Sequence, residues 1–321
     1  GIFSIIIGLG VARFAFTGLI PAMLDNYLTI KFVGILASLN FAGYLSGSIF
    51  SIFVKDINFK VYLYRFGIFL AISTTFILAY SDNNTLWMVG RVLAGFAGAM
   101  CLIVGTSIVM QKLTIKSKTK AMGIHFSGIG FSILTTDLLA RFVLSLNYSW
   151  RDSWAVLAVF AIILSLYSVY ILSFDKEVKQ NAVKVKFDIS IFTPFVIVLI
   201  IAYFTEGVGF VVQATFLPDI INNLKGLEGY GSLTWTLVGV AGIPSCIIWM
   251  LLAHRFGSSN IIIIALLLQA VGILIPAFSS NIYLNLLSGV LYGGTFIGLV
   301  ALFMNLGGQL SRGNPVVLMG A

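Results

Sequence analysis

Ala202–Asn223 reads AYFTEGVGFVVQATFLPDIINN. The stretch is apolar for long enough to cross a bilayer, yet it carries Glu206 near its middle. A carboxylate at that depth costs roughly 3 kcal/mol to insert, and chains retain one where there is a pathway, a partner or a proton to handle. Gln213 follows seven residues later, which on a helix sets it almost directly above Glu206 on the same face. Pro218 and Asp219 mark where the stretch is expected to leave the membrane.

The start of the chain holds a relative of this stretch. Gly10–Asn26 reads GVARFAFTGLIPAMLDN, and Gly10, Pro21 and Asn26 share their mutual spacing with Gly207, Pro218 and Asn223. In that alignment Arg13 stands opposite Phe210, one turn from Glu206. One half of the chain thus carries a buried cation where the other carries a buried anion. Three matched residues are a weak repeat alone; they gain weight because the two segments are the first and seventh expected spans.

Composition sets the class. The chain is 59% hydrophobic and 9% charged, with a mean hydropathy of +1.05. Soluble domains are nearer half apolar and a quarter charged. Stretches of about 20 apolar residues suit helices rather than barrel strands, so an all-α polytopic membrane protein is expected. The net charge of +8 does not imply nucleic acid, because the bases lie in loops. Cys101 and Cys246 both fall inside spans, leaving neither a disulfide framework nor a metal-ligand spacing. The sequence opens inside an apolar run without Met and shows no cleavable signal, so a fragment at both ends is expected.

Ten spans follow from the apolar runs: about Ile2–Leu24, Phe32–Val54, Val61–Tyr80, Leu86–Met110, Ala121–Leu144, Trp154–Phe174, a seventh from Thr193, Leu233–Ala253, Asn260–Phe278 and Tyr283–Leu306. Gly43 and Gly47, Gly289 and Gly293, and Gly294 and Gly298 are GxxxG pairs that let helices approach closely. Arg91, Gly95, Gly98, Leu102 and Gly105 form one stripe of span 4. Asp137 and Arg141 are four apart in span 5 and can pair along it. The polar stretch Asp175–Ser190 is the best linker between two halves.

Lysine and arginine counts orient the chain. The loops after even-numbered spans hold Lys55, Lys60, Lys112, Lys116, Lys118, Lys120, Lys176, Lys179, Lys184, Lys186, Arg255 and Arg312. The opposite loops hold only Lys31, Arg151 and Lys225. The N-terminus and the central linker are therefore expected in the cytoplasm.

Six spans, a basic linker and a second set whose first member echoes the first: this layout resembles the major facilitator superfamily, whose two six-helix halves are parallel repeats about an axis normal to the membrane. Arg91-Val-Leu-Ala-Gly95-Phe-Ala-Gly98 resembles that superfamily's span-4 arginine–glycine motif. Gly10-Val-Ala-Arg13-Phe14, Leu19-Ile-Pro21, Glu206-Gly-Val-Gly209-Phe, Ala214-Thr-Phe-Leu-Pro218 and Gly293-Gly-Thr-Phe-Ile-Gly298 together resemble its bacterial YbfB/YjiJ-like branch. There are departures. The loop signature after span 2 is reduced to Lys55-Asp56 and Lys60, and His254 stands after span 8 where an Asp is usual. Span 5 lacks the Gly-Pro pair of drug/proton antiporters.

The resemblance implies a two-bundle fold with spans 11 and 12 missing here. Residues 1–174 would be an N-terminal six-helix bundle, 175–192 a cytoplasmic linker, and 193–321 a C-terminal bundle truncated after span 10. It also implies a secondary active transporter working by alternating access, multi-pass in the bacterial inner membrane, monomeric, with a small-molecule substrate and protons as partners and no cofactor or metal. Glu206, Arg13, Gln213 and Thr17 are the expected translocation residues. Arg13 lies about one turn, roughly 5 Å, outward of Glu206 if depth is preserved across the repeat, so it either binds an anionic group or pairs with Glu206. Arg91, Asp137 and Arg141 are the expected gate or internal ion cluster. The alternative is a sensor or scaffold that keeps the fold without transport. A membrane-embedded enzyme would need paired carboxylates, a His-rich metal set or a nucleophile with its base, and direct ATP drive would need a phosphate-binding loop; the sequence offers none of these.

Overall fold

The computed structural model describes residues 1–24, 27–54, 56–112, 118–171 and 192–310. Ten helices long and apolar enough to cross a membrane run through them: Ile2–Leu24, Ile30–Phe53, Ile57–Tyr80, Asn84–Val109, Gly123–Ser145, Trp150–Tyr170, Pro194–Asn222, Tyr230–Phe256, Ser258–Phe278 and Ile282–Gly307, spans 1 to 10 in order. Among the described residues there is no strand. The linker expected at 175–192 falls outside them apart from Phe192, as do Asn26, Lys55, Lys116, Arg312 and everything beyond residue 310.

Polar residues at the loop edges start the helices. Thr29 accepts the Phe32 N–H at 3.3 Å and Asp56 the Phe59 N–H at 2.7 Å, each filling one donor that a first helical turn leaves open. Thr193 caps span 7 ahead of Pro194, whose missing N–H costs nothing at a first position.

Pro218 does not end span 7. The helix continues through it to Asn222. Proline has no N–H to give the carbonyl four residues back, which here is that of Ala214. The Thr17 hydroxyl of span 1 donates to that carbonyl at 2.5 Å. Pro276 of span 9 frees the Gly272 carbonyl in the same way, and the Ser288 hydroxyl of span 10 donates to it at 2.6 Å. At Pro218 and Pro276 hydroxyls from neighbouring spans thus satisfy the backbone groups that the prolines expose. Thr17→Val and Ser288→Ala are each expected to lower unfolding stability by about 0.6 kcal/mol and at most ~1.7 kcal/mol, the range of hydrogen bonds between membrane helices. Unfolding titrations in mixed micelles measure both.

The repeat seen in spans 1 and 7 extends through the chain, with a step one residue longer. Asn83 caps span 4 by accepting from Thr85 and Leu86, and Asn281 caps span 10 by accepting from Tyr283 and Leu284. Ser81 accepts the Asn83 N–H and Ser279 the Asn281 N–H, both at 3.1 Å. The Trp87 indole donates to the Ser81 carbonyl and the Asn285 amide to that of Ser279, both at 2.8 Å. Each pair of counterparts is 198 positions apart, against 197 from Gly10 to Gly207. Packing repeats too. A side chain at Gly95 would strike the backbone of Asn40 in span 2, and one at Gly293, again 198 positions on, would strike that of Val238 in span 8.

Spans 1 to 6 bury one core, in which spans 2 and 3 flank span 4 and span 6 packs on span 3. Spans 8, 9 and 10 repeat that arrangement. The two sets meet where span 5 packs along span 8 and span 1 crosses span 7, around a shared cluster that includes Leu9, Phe14, Ile133, Trp235, Tyr292 and Phe296. The loops joining spans 1 and 2, 3 and 4, and 5 and 6 share one face: Tyr27 donates to the Asp82 carbonyl at 2.9 Å, and Arg151 pairs with the Asp82 carboxylate. Span 7 shows a lengthwise apolar stripe, Val198, Ile201, Phe204, Val208 and Val212, on its outward face, as a helix in contact with lipid would.

Candidate functional site

The site begins with a widened turn. Residues Ile6–Phe14 of span 1 are wound as a π-helix, a form that recurs at functional positions because it re-aims side chains and frees carbonyls. Arg13 leaves this segment into a cage of rings. Its guanidinium carbon lies 4.4 Å from the Phe41 ring centre, 5.2 Å from that of Phe210, 5.3 Å from Phe14 and 5.7 Å from Tyr44. Each ring face can stabilise a cation by about 0.5–2 kcal/mol, but a ring accepts no ordinary hydrogen bond. Among the described residues no oxygen accepts from Arg13 and no carboxylate pairs with it.

Arg13 and Phe210 are counterparts in the repeat, 197 positions apart, and so are Thr17 and Ala214. Both pairs touch. Residues that contact their own counterparts lie on the axis relating the halves, so spans 1 and 7 cross on that axis with Arg13 beside it.

Arg91 of span 4 reaches span 1 at Ala12 and Phe16. It is 2% exposed. One terminal nitrogen donates to the Ala12 carbonyl at 2.8 Å, and the guanidinium lies 4.4 Å from the Phe16 ring centre. Its Nε–H is buried with no partner. The Asn40 amide of span 2 donates to the Arg91 carbonyl at 3.1 Å and holds this part of span 4 in place. Arg13, Arg91, Phe16, Thr17, Asn40 and Phe41 line one narrow cleft with Ala37 from the first half and Ala214 and Thr215 from the second. The cavity is about 10 Å³, room for roughly one water molecule.

Glu206 and Gln213 both turn towards span 9, as their spacing of seven requires. The Gln269 amide donates to Glu206 Oε1 at 3.0 Å, and the Gln213 amide donates to the Ile273 carbonyl at 3.2 Å. Glu206 is therefore held inside the second half and makes no ion pair with Arg13. Tyr292 of span 10 stacks on Phe210, the ring that also lies against Arg13, and donates to the Phe210 carbonyl at 3.2 Å. The Gln269 Oε1 is buried and unpartnered.

Asp137 and Arg141 come together 3.9 Å apart at the far end of span 5, and Thr236 of span 8 joins them. The Thr236 hydroxyl lies 2.5 Å from Asp137 Oδ2 and 2.8 Å from an Arg141 nitrogen. Arg91 does not complete this cluster; no ion pair joins it to Asp137 among the described residues. Thr236→Val is expected to cost about 1–3 kcal/mol, because it strips a donor from a carboxylate whose residue is 2% exposed. Asp82→Asn, which breaks the solvent-facing pair with Arg151, is expected to cost less than about 1 kcal/mol and to matter still less in high salt. Unfolding titrations at two salt concentrations separate the pairs, and equal losses would contradict this reading.

Several members of the site were not singled out in the sequence. Gln269 is a lone amide in the apolar run of span 9, and that isolation is a usable signal. Tyr44 and Tyr292 are embedded in glycine motifs where the glycines draw attention. Phe41, Asn40 and Thr236 carry no signal without the fold. Among the described residues no group of three or more His, Cys, Asp or Glu could hold a metal.

Comparison with known proteins gives this geometry a context. A family model described as "Uncharacterised MFS-type transporter YbfB" matches residues 5–321. The chain is similar in fold to the partially occluded, inward-open xylose transporter XylE from E. coli, with a TM-score of 0.73, 12% identity and coverage of 99% of this chain and 87% of that one. It is similar to a D-xylose-proton symporter at TM-score 0.75 and 13% identity, covering 99% and 83%. The nucleoside transporter NupG matches at TM-score 0.66 and 15% identity, covering 100% and 85%.

Proposed function

Because the chain belongs to the family of MFS-type transporters described for YbfB, we propose that it is a secondary active transporter that moves a small solute by alternating access and couples the movement to protons. The observation that carries this reading is the cleft beside the axis. Both halves line it, and it is too small for a solute unless they part. A rocking motion about the crossing of spans 1 and 7 opens it to one side at a time. Residues 1–174 and 193–321 act as the two moving bundles, joined through 175–192 on the cytoplasmic side, and the protein works as a monomer in the bacterial inner membrane. The Thr17–Ala214 and Asp137–Thr236 contacts then lie towards the outer surface, where they close the cleft and break when it opens outward. Arg13 and Thr17 serve the solute, and Glu206 takes up and releases the proton with Gln213 beside it.

The Glu206 environment suits a group that changes protonation. Gln269 donates to the carboxylate, and its own orphaned carbonyl oxygen can accept from the protonated acid after the amide turns over. A thermal-shift screen of the purified protein, wild type against Glu206→Gln at acid and neutral pH, tests the assignment. A solute that binds the folded state alone adds about 2.7 kcal/mol at a hundred times its Kd. The expected hit depends on both pH and Glu206. A hit indifferent to both would leave a carrier without proton coupling.

A further inference from the structure

Two guanidinium groups share one cleft and no carboxylate lines it. Arg13 meets only ring faces. Arg91 spends one nitrogen on the Ala12 carbonyl and keeps a buried N–H with no partner. The acidic groups of the neighbouring spans are engaged elsewhere: Glu206 with Gln269, and Asp137 with Thr236 and Arg141. Removing two like charges from water without a counter-ion is costly, and a bound anion offsets that cost by filling both forks at once.

We propose that this cleft binds a small organic monoanion, a carboxylate or sulfonate on an apolar body, with the charged end between Arg13 and Arg91 and the body against Phe16, Phe41 and Ala214. The proposal deepens the carrier reading: binding needs the two halves to part far enough to admit the solute, and the solute's passage rests on that reading as a whole. The remaining lining argues against other solutes. Thr17 donates to the Ala214 carbonyl and Asn40 gives one of its two N–H groups to the Arg91 carbonyl, so the donors left free in the cleft are chiefly those of the two guanidinium groups. A neutral solute leaves both cations uncompensated, and a cationic one adds a third.

Three probes with one ring and one planar head separate the cases: benzoate, benzamide and benzamidinium, titrated by calorimetry against the purified protein in nanodiscs. Benzoate is expected to bind, with benzamide and benzamidinium at least about 30-fold weaker, the usual scale for losing one partner of a buried charge pair. Arg13→Gln is expected to cost a similar factor and Arg13→Lys less, since the lysine keeps a charge but loses the fork. The probe comparison on the wild type stands even if a variant fails to fold. Benzamide or benzamidinium binding as tightly as benzoate would overturn the proposal, and so would benzoate affinity unchanged in folded Arg13→Gln, or no benzoate binding at millimolar concentration. Counterflow of benzenesulfonate in proteoliposomes separates the two readings, because benzoic acid crosses lipid unaided. Benzoate binding without counterflow keeps the anion site and removes the carrier; counterflow of xylose that ignores Arg13→Gln does the reverse.

Discussion

Proteoliposomes carrying Glu206→Gln are expected to exchange solute across the membrane but to lose accumulation driven by a pH gradient. For one coupled proton, a gradient of one pH unit holds a solute ratio of about ten, since each 1.4 kcal/mol is tenfold. The variant should bring that ratio to about one. The substitution preserves volume and the contact with Gln269, because an amide can accept from the Gln269 nitrogen as the carboxylate does. What it removes is the capacity to exist in two charge states. Exchange that persists while accumulation disappears identifies uncoupling rather than misfolding. Accumulation unchanged in the variant would strike Glu206 from the mechanism, and loss of exchange together with accumulation would make its contact with span 9 structural. If the solute is the monoanion inferred for the cleft, transport with one proton is electroneutral. The ratio then follows the pH gradient and ignores an imposed membrane potential, which gives the same vesicles a second readout.

Ten spans were legible because membrane helices obey two local rules, length and apolarity, and both can be counted in a sequence. The limits of span 7 were less so. Pro218 reads as a stop, yet the helix runs through it because the Thr17 hydroxyl accommodates the freed Ala214 carbonyl. That donor stands 197 residues away and cannot be found by local reading. The repeat was legible only in spans 1 and 7. Its step changes from 197 to 198 before span 8, so the counterparts Ser81 and Ser279, Asn83 and Asn281, and Gly95 and Gly293 fall out of register with the first alignment.

The candidate site was visible as residue types and hidden as partnerships. Arg13, Glu206, Arg91, Asp137 and Arg141 stand out because a charge in an apolar run is costly wherever it ends up. Their partners follow from helix rotation and crossing. The repeat places Glu206 and Arg13 one turn apart in depth, which leaves open whether Arg13 binds an anionic group or pairs with Glu206. The structure turns Glu206 to Gln269 and fills the space around Arg13 with Phe41, Tyr44 and Phe210. Spacing of four was enough for Asp137 and Arg141, since both lie on one helix. It could not supply Thr236, which arrives from the other half.

Gly95→Val and Gly293→Val are expected to be strongly destabilising, each costing about 3 kcal/mol or more. In both cases the added Cβ falls on main-chain atoms of the neighbouring helix, those of Asn40 and Tyr44 for Gly95 and those of Val238 for Gly293. A flexible side chain would turn aside; a helix backbone must move as a body. Overpacking usually costs 1–3 kcal/mol, and the upper end applies where nothing nearby can yield. Lipid makes the penalty harder to absorb, because the chains around a membrane helix are as apolar as its side chains and association rests on close packing. Parting spans 2 and 4 would also disturb the Asn40–Arg91 hydrogen bond that steadies one wall of the cleft. Gly207→Ala is the control: a Cβ there meets nothing within 4 Å, and losing a mid-helix glycine should be neutral or stabilise by up to about 1 kcal/mol. Melting followed by size-exclusion fluorescence ranks the three. The repeat predicts similar losses at Gly95 and Gly293, because they are the same contact made twice. A large loss at one and none at the other would mean that the two halves do not share a packing plan, and the axis drawn through Arg13 and Thr17 would lose its support.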